Sequence, residues 1–320
     1  MSVPSAGDVS VVIPHYGDPA HAQRLVSQLR SQRDGVELEI IVLDDCSPVP
    51  FPPSDDAIVH RRDTNGGFGA AVNSAAQLAT RTQLLILNSD LDVPEDFVQD
   101  LLTAAAPWQP AVSAPALVGD DGELQWSGRH FPRTHHYVTE WLRPLARWRH
   151  RRSLHEAVGH DSRCVSGATV ATDWLVGAVL LLPTELFRDE GGFDERFHMY
   201  CEETDLQRRL RDRGIPSIYL GELQVKHAGG ASTDSSRRLG WLFSSRFFYA
   251  RKWGTGAGRL HAGLVAATVV NAIFAALRGP GGGSAREVWR REIEIVNSAA
   301  KEGKRKAAQM DTTAMESVHR

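Results

Sequence analysis

Residues 198–205 read His-Met-Tyr-Cys-Glu-Glu-Thr-Asp, so Glu202 and Glu203 stand side by side with Asp205 two residues on. The turn-rich stretch Gly191-Gly192-Phe193-Asp194-Glu195 precedes them, and a helix carrying Arg208, Arg209, Arg211 and Arg213 follows. Carboxylates that open a helix are commonly caps, each favoured by the helix dipole by roughly 0.3–1 kcal/mol. A second acidic site argues for more than capping. The apolar run from Leu84 ends in Asn88-Ser89-Asp90-Leu91-Asp92, and the carboxyl ends of strands are where open α/β sheets bind ligands. One acidic site suited to a metal and another suited to a proton are what transfer from a phosphorylated donor requires.

Holding two such sites calls for an alternating frame of strands and helices. Val9 to Ile13 is a short strand-forming run stopped by Pro14; residues 19–32 predict a helix, and Glu39 to Leu43 predict a second strand ending at Asp44-Asp45. Apolar runs at Ile58-Val59 and Leu84 to Leu87 flank a helix of small residues over Gly69 to Ala79. This βαβ alternation predicts a mostly parallel sheet. After Pro94 a helix is expected over 95–106, with Asp92 read as its cap or as a further acid of the site. A buried strand over Trp174 to Leu182 and a helix over Glu203 to Asp212 complete the region.

The 320 residues, 42% hydrophobic and 23% charged, suffice for one large domain or two small ones. A net charge of -3 gives no reason to expect a nucleic-acid partner. Met1 to Ser10 has neither Lys nor Arg and does not read as a secretory signal. Cys46, Cys164 and Cys201 include no Cys-x-x-Cys pair, as expected of reduced thiols in a cytoplasmic protein.

Two segments depart from the alternation. Residues 143–152 hold five arginines and Trp148, and read as a solvated loop or as a surface for phosphate or lipid head groups. Residues 260–277 contain no Lys, Arg, Asp or Glu; a spanning helix needs ~20 predominantly apolar residues, so a packed or amphipathic helix is expected. Gly279 to Gly283 end it, a helix follows over 285–300, and the polar remainder is expected to fray. The histidines of His155-Glu156-Ala157-Val158-Gly159-His160 stand five apart, which excludes the helical zinc-protease signature. In Asn65 to Asn73, Val72 occupies the third glycine place of a dinucleotide fingerprint, so Gly67 and Gly69 suit a loop closely approaching a ligand rather than a Rossmann dehydrogenase.

Taken in order, these segments resemble the family 2 inverting glycosyltransferases of the GT-A fold, and among them the bacterial rhamnosyltransferase-like members, over about residues 8–255. The resemblance implies an α/β nucleotide-diphospho-sugar transferase fold, with a mostly parallel sheet flanked by helices. It divides the chain into a domain over 1–255 and a C-terminal helical extension over 256–320. Val9 to Tyr16 is similar to the family's first strand and nucleotide-contacting turn, which implicates Pro14 and Tyr16. Val42 to Ser47 resembles the second, with Asp45 expected to hold the nucleobase. Asn65 to Asn73 resembles the donor-side Asn-x-Gly-Phe loop and adds Asn65 and Gly67. Leu87-Asn88-Ser89-Asp90 resembles a variant of the Asp-x-Asp motif, so Asn88 is assigned to the donor nucleotide and Asp90 to the metal. His227 stands where such enzymes often supply a histidine to that metal, and mixed oxygen and imidazole ligation suits Mn²⁺ or Mg²⁺. Gly192 to Leu206 carries the closest likeness, with Glu-Glu in place of the usual Glu-Asp. Glu203 therefore inherits the role of catalytic base, supported by Glu202 and Asp205. Trp174 is read as a core residue or a stacking platform for a sugar.

The resemblance implies inverting transfer of a sugar from a nucleotide-diphosphate donor to a hydroxyl of a cell-envelope glycan or polyprenyl-diphosphate acceptor. L-rhamnose from dTDP-rhamnose is the expected donor; UDP-galactofuranose, UDP-GlcNAc or an inactive nucleotide-sugar-binding protein are the alternatives. A nucleotidyltransferase is disfavoured because Gly17 to Arg30 does not resemble its basic loop. The expected location is the cytoplasm, with peripheral contact at the inner face of the cell membrane through Arg143 to Arg152 and residues 260–277. A homo-oligomer is compatible with this reading.

Overall fold

Val9 to Ile13 are fully buried on both faces, as an inner strand covered by helices requires. They belong to β1 (Val9–His15) in a computed structural model that describes residues 8–33, 38–148, 150–228, 235–278 and 284–318. Arg149 and the stop at Gly279 to Gly283 lie outside the described residues. After α1 (Ala20–Arg30), β2 (Glu39–Asp44) pairs in parallel with β1, and β3 (Ile58–Arg61) in parallel with β2. Helix α2 (Phe68–Leu78) leads to β4 (Gln83–Leu87), parallel to β1 on its other side. The alternation read from the sequence thus produces the parallel order β3-β2-β1-β4.

Beyond β4 the sheet is mixed. Following β5 (Leu91–Asp92) and α3 (Phe97–Ala105), β6 (Val112–Val118) enters the sheet next to β10 (Val179–Pro183), which lies antiparallel between β4 and β6. A fully buried apolar run looks the same in either direction, so the sequence did not show this reversal. The expected strand over 174–182 divides: β9 (Trp174–Leu175) leaves the large sheet and pairs with β7 (Gly128–Arg129). The Gln207 side-chain carboxamide satisfies the backbone of β9, accepting from the Leu175 N–H and donating to its carbonyl, both at 2.8 Å. Asp92 does not cap α3; it accepts a hydrogen bond from the Gln28 side chain, and Asp96 holds the cap position.

The chain forms two compact units. The first holds the sheet, with β8 (Thr169–Thr172), α6 (Thr184–Asp189), α7 (Glu202–Asp212) and β11 (Ser217–His227). Aliphatic cores lie on both sides of the sheet, one beneath α1 and α3, the other beneath α2 and α7.

The second unit is helical. It gathers α4 (Thr134–Trp141) and α5 (Arg152–Ala157) with α8 (Ser235–Lys252), α9 (Ala257–Leu277) and α10 (Ala285–Val318) around Tyr137, Phe243, Phe247, Leu264 and Val296. Residues 143–148 form a 3₁₀ helix and 152–157 form α5, so these parts of the arginine segment are helical rather than loop, with Arg147 and Arg151 still exposed to solvent. It is anchored at Arg143: its backbone N–H donates to Asn271 Oδ1 at 2.8 Å, and its guanidinium meets Glu292 at 2.7 Å. Buried Asn271 also donates to Glu292 and to the Trp141 carbonyl, each at 2.9 Å. Helix α10 runs well past residue 300, and Gly303 lets it approach α8, since a Cβ there would lie 2.6 Å from Phe247 Cβ.

Asn271→Ala should lower stability by about 2 kcal/mol or more, because it removes at once the partner of one buried Glu292 oxygen and of two backbone groups. Val269→Ala, on the exposed face of α9, should stay within roughly 0.5 kcal/mol of the parent. Urea unfolding followed by circular dichroism checks both, and equal effects would remove the structural role of the Asn271 knot.

Candidate active site

Strands β1, β2 and β4 are parallel, so their carboxyl ends emerge along one edge of the sheet. At the end of β4, the Asn88 N–H donates to the Ala178 carbonyl at 2.8 Å. Two residues on, β5 pairs with β11 so that His227 lies opposite Leu91, and the Ala228 N–H donates to the Asp90 carbonyl at 3.2 Å. This pairing brings His227 Nε2 to 3.3 Å from both Asp90 Oδ1 and Asn88 Nδ2. On the far side of the ring, Gln125 donates to the His227 carbonyl and turns Oε1 toward Nδ1, each at 2.7 Å. Because Oε1 can only accept, Nδ1 carries a proton and Nε2 faces Asp90. An imidazole nitrogen and a carboxylate oxygen at this separation are bridged by a proton or by a divalent cation, and a hydrogen-bonded outer nitrogen is the usual orientation device of a metal-binding histidine. The sequence reading did not nominate Gln125; nothing local marks it.

The second acidic site opens α7. His198, Tyr200 and Cys201 all have left-handed backbone, with φ of 63°, 67° and 68°, and the helix starts immediately after them. The three acids then separate by environment. Asp205 is fully buried and bonded to Arg209 at 3.0 Å, and the same guanidinium donates to the carbonyls of Glu190 and Gly192 at 2.6 and 2.7 Å. Asp205 therefore fixes the preceding turn. Glu202 is buried against α2 near Gly69. Glu203 is half-buried against Gly177, and its Oε2 is withdrawn from solvent without a hydrogen-bond partner. Burial raises the Glu203 carboxyl above the ordinary glutamate range, while the backbone amides of Glu203, Thr204 and Gly177 and the Arg129 guanidinium pull it down. Arg129, another residue the sequence reading missed, lies directly across from Trp174 in the β7–β9 pair, its guanidinium 5.7 Å from that half-buried ring.

The two acidic sites are joined through the backbone: Ala178 binds Asn88, and the adjacent Gly177 contacts Glu203. The glycine loop closes on the same edge. Asp45, buried at the end of β2, accepts the N–H of Gly66 at 3.0 Å and of Gly67 at 2.8 Å, with the Arg62 guanidinium 3.6 Å away. Phe68 N–H donates to the His198 carbonyl at 3.0 Å, which ties the loop to the turn before α7. Asp45 therefore holds the loop as well as standing at the strand end. Pro14 is half-buried, whereas Tyr16 and Asn65 present exposed side chains.

Residues 10–165 match the family model described as Glycosyl transferase family 2. The chain is 29% identical over 185 residues to an N-acetylglucosaminyl-diphospho-decaprenol L-rhamnosyltransferase of Mycobacterium tuberculosis, covering 53% of this chain and 58% of that protein. The chain thus spans a little over half the length of that relative. It is 23% identical over 259 residues to the rhamnosyltransferase WbbL of Escherichia coli, covering 76% of this chain and 93% of the other. Among solved structures, the mannosyltransferase PcManGT of Pyrobaculum calidifontis, in complex with GDP-Man and Mn²⁺, aligns over 94% of this chain and 87% of its own with a TM-score of 0.54 at 15% identity. That likeness establishes the GT-A fold.

Gly67→Ala tests the loop. The φ of 87° disfavours any side chain, and a Cβ would lie 1.9 Å from the His198 carbonyl oxygen. The substitution should displace the loop or the turn before α7, lowering stability by about 1–3 kcal/mol. A thermal unfolding profile identical to the parent's would show that this contact does not constrain the loop.

Proposed function

We propose, for a chain that belongs to glycosyltransferase family 2 through residues 10–165, that it transfers a sugar from a nucleotide-diphosphate donor to a hydroxyl acceptor with inversion at the anomeric carbon. The observation that carries this reading is the backbone connection between a His–carboxylate pair and a separate, partly desolvated glutamate. The rhamnosyltransferase relatives favour dTDP-rhamnose as donor. The Mycobacterium relative, named for a decaprenol-diphosphate substrate, favours a polyprenyl-linked glycan as acceptor, met at the inner face of the cell membrane.

In this reading Asp90 and His227 hold a divalent cation, Mn²⁺ or Mg²⁺, and Gln125 keeps Nε2 turned toward it. When bound, such an ion neutralises charge developing on the departing diphosphate. Asn88, Pro14, Tyr16, Asn65 and Gly67 line the donor nucleotide's side of the sheet edge, and Asp45 keeps the glycine loop closed there. Glu203 accepts the acceptor hydroxyl proton on its carboxylate as that oxygen attacks the anomeric carbon from the face opposite the nucleotide. The amides of Thr204 and Gly177 together with Arg129 oppose the upward push that burial exerts on its carboxyl. Asp205 and Glu202 support the helix start.

Glu203→Gln should fold and retain donor binding while losing about 10²–10⁴ in single-turnover transfer at saturating donor. Glu202→Gln should lose far less; the reverse order would move the base elsewhere. Because a base must be ionised, the acid limb of kcat/KM should lie above the ordinary glutamate range, and Arg129→Met should shift it to higher pH by removing the cation that pulls Glu203 down. An unmoved limb in Arg129→Met would refute that electrostatic role.

Asp90→Ala should abolish metal-dependent donor binding, and Gln125→Leu should weaken it by roughly 10–100-fold, the usual effect of losing an outer-sphere partner. Titration of donor with and without Mn²⁺ reads both directly. Undiminished metal dependence in both variants would sink the assignment.

A further inference from the structure

Helix α9 is apolar all round, yet only one of its faces is packed. Leu260, Leu264, Ala267, Thr268, Asn271 and Ala275 are buried within the helical unit. Val269, Val270, Ile273 and Leu277 stand on the other side, with Ile273 56% and Leu277 81% exposed. Their spacing of one, four and eight residues places them on one helical face. An apolar stripe of this kind on a soluble unit marks an interaction surface.

Cations gather at its C-terminal end. A hollow of about 380 Å³ is lined by Arg143, Arg147 and Arg278 together with Pro144, Phe274 and Leu277. The Arg278 guanidinium lies 5.1 Å from the Phe274 ring, and those of Arg147 and Arg151 lie 4.1 and 5.9 Å from the half-buried Trp148 ring. Arg143 is paired with Glu292, but Arg147, Arg151 and Arg278 have no carboxylate partner among the described residues. Neither 143–152 nor 257–277 contains an acid. Uncompensated guanidinium groups bordering exposed aliphatic side chains match a surface that is anionic at its rim and apolar beneath it.

We propose that this face of the helical unit binds an anionic phospholipid bilayer, with head-group phosphates at Arg147, Arg151 and Arg278 and with Val270, Ile273 and Leu277 entering the acyl boundary. Helix α9 has the length and composition to cross a membrane. Its other face, however, is committed to protein through Asn271, bonded to Glu292 and the Trp141 carbonyl, and through Thr268, which accepts from the Trp141 indole at 2.9 Å. The helices it packs against, α8 and α10, are rich in charged residues and cannot cross with it, so α9 lies along the interface instead of spanning it. The inference extends the proposed lipid-linked acceptor by naming the surface that would bring the enzyme to it, but it does not require that acceptor.

The test is sedimentation of the full chain, without donor or acceptor, with phosphatidylcholine vesicles and with vesicles also containing phosphatidylglycerol. Binding should require the anionic lipid and weaken with salt. Arg147→Glu/Arg278→Glu should reduce it at least about tenfold, since each arginine near such a surface contributes roughly 1 kcal/mol. Ile273→Glu/Leu277→Glu should reduce it comparably, with circular dichroism and donor hydrolysis in solution unchanged. Inorganic phosphate at millimolar concentration should not displace the protein. Absence of binding, equal binding to both vesicle types, or displacement by free phosphate would overturn the proposal. So would conversion of a dimer to a monomer by Ile273→Glu/Leu277→Glu without loss of vesicle binding, which would assign the face to a second copy of the chain. Failure of any glycosyl transfer while vesicle binding persists would reject the enzymatic reading and leave this one standing.

Discussion

The geometry of the site depends on the carboxamide of Gln207. It is fully buried and bonds both backbone groups of Leu175, and it also donates to the Glu203 carbonyl at 3.1 Å. One side chain thereby ties β9 to the helix that carries the proposed base. Between β9 and β10 only Val176, Gly177 and Ala178 intervene; Gly177 rests on Glu203, and Ala178 receives the Asn88 N–H at the end of β4. A clamp made by an amide in the dry interior is strong because its alternative is unpaired backbone. The two acidic sites are thus held in mutual register by bonds along a single short segment rather than by their own contacts.

Local signals in the sequence went as far as local physics reaches. The strands of the parallel half were legible because β-branched runs ended in turn residues, and α2 because small residues followed a glycine loop. What depended on distant partners was hidden. The run Trp174 to Leu182 reads as one strand unless it is known that Gln207, over 30 residues away in sequence, satisfies Leu175. Residues 131–160 carry no sign that they pack with helices beginning about 75 residues beyond them. Arg129 and Gln125 look like ordinary surface residues until the β7–β9 pair and the end of β11 bring them to Glu203 and His227.

The same contrast runs through the acidic residues. Asp44 and Asp45 are adjacent and both buried, yet their duties differ. Asp44 accepts from the amides of Ser47 and Phe51 and from Arg61, building the turn after β2; Asp45 reaches across to the glycine loop. Asp44 ends the strand and Asp45 lies just beyond it, and the two carboxylates serve different loops. The structure therefore adds loop closure to the nucleobase contact expected of Asp45.

At α7 the division is sharper. Asp205 is paired with Arg209 in a geometry that also fastens the Gly192 turn, so its carboxylate is committed to structure. Glu203 receives amides and the distant influence of Arg129 but keeps Oε2 unbonded and desolvated. Glu202 is buried as well, so what distinguishes Glu203 as the proposed proton acceptor is the set of amides and the Arg129 guanidinium around it. The longer side chain is not crowded by Gly177 opposite, where even an added Cβ would meet Glu203 at an ordinary 3.5 Å. The extra methylene is thus accommodated without crowding, and the placement of the carboxyl group is set by the amides around it rather than by the length of the side chain alone.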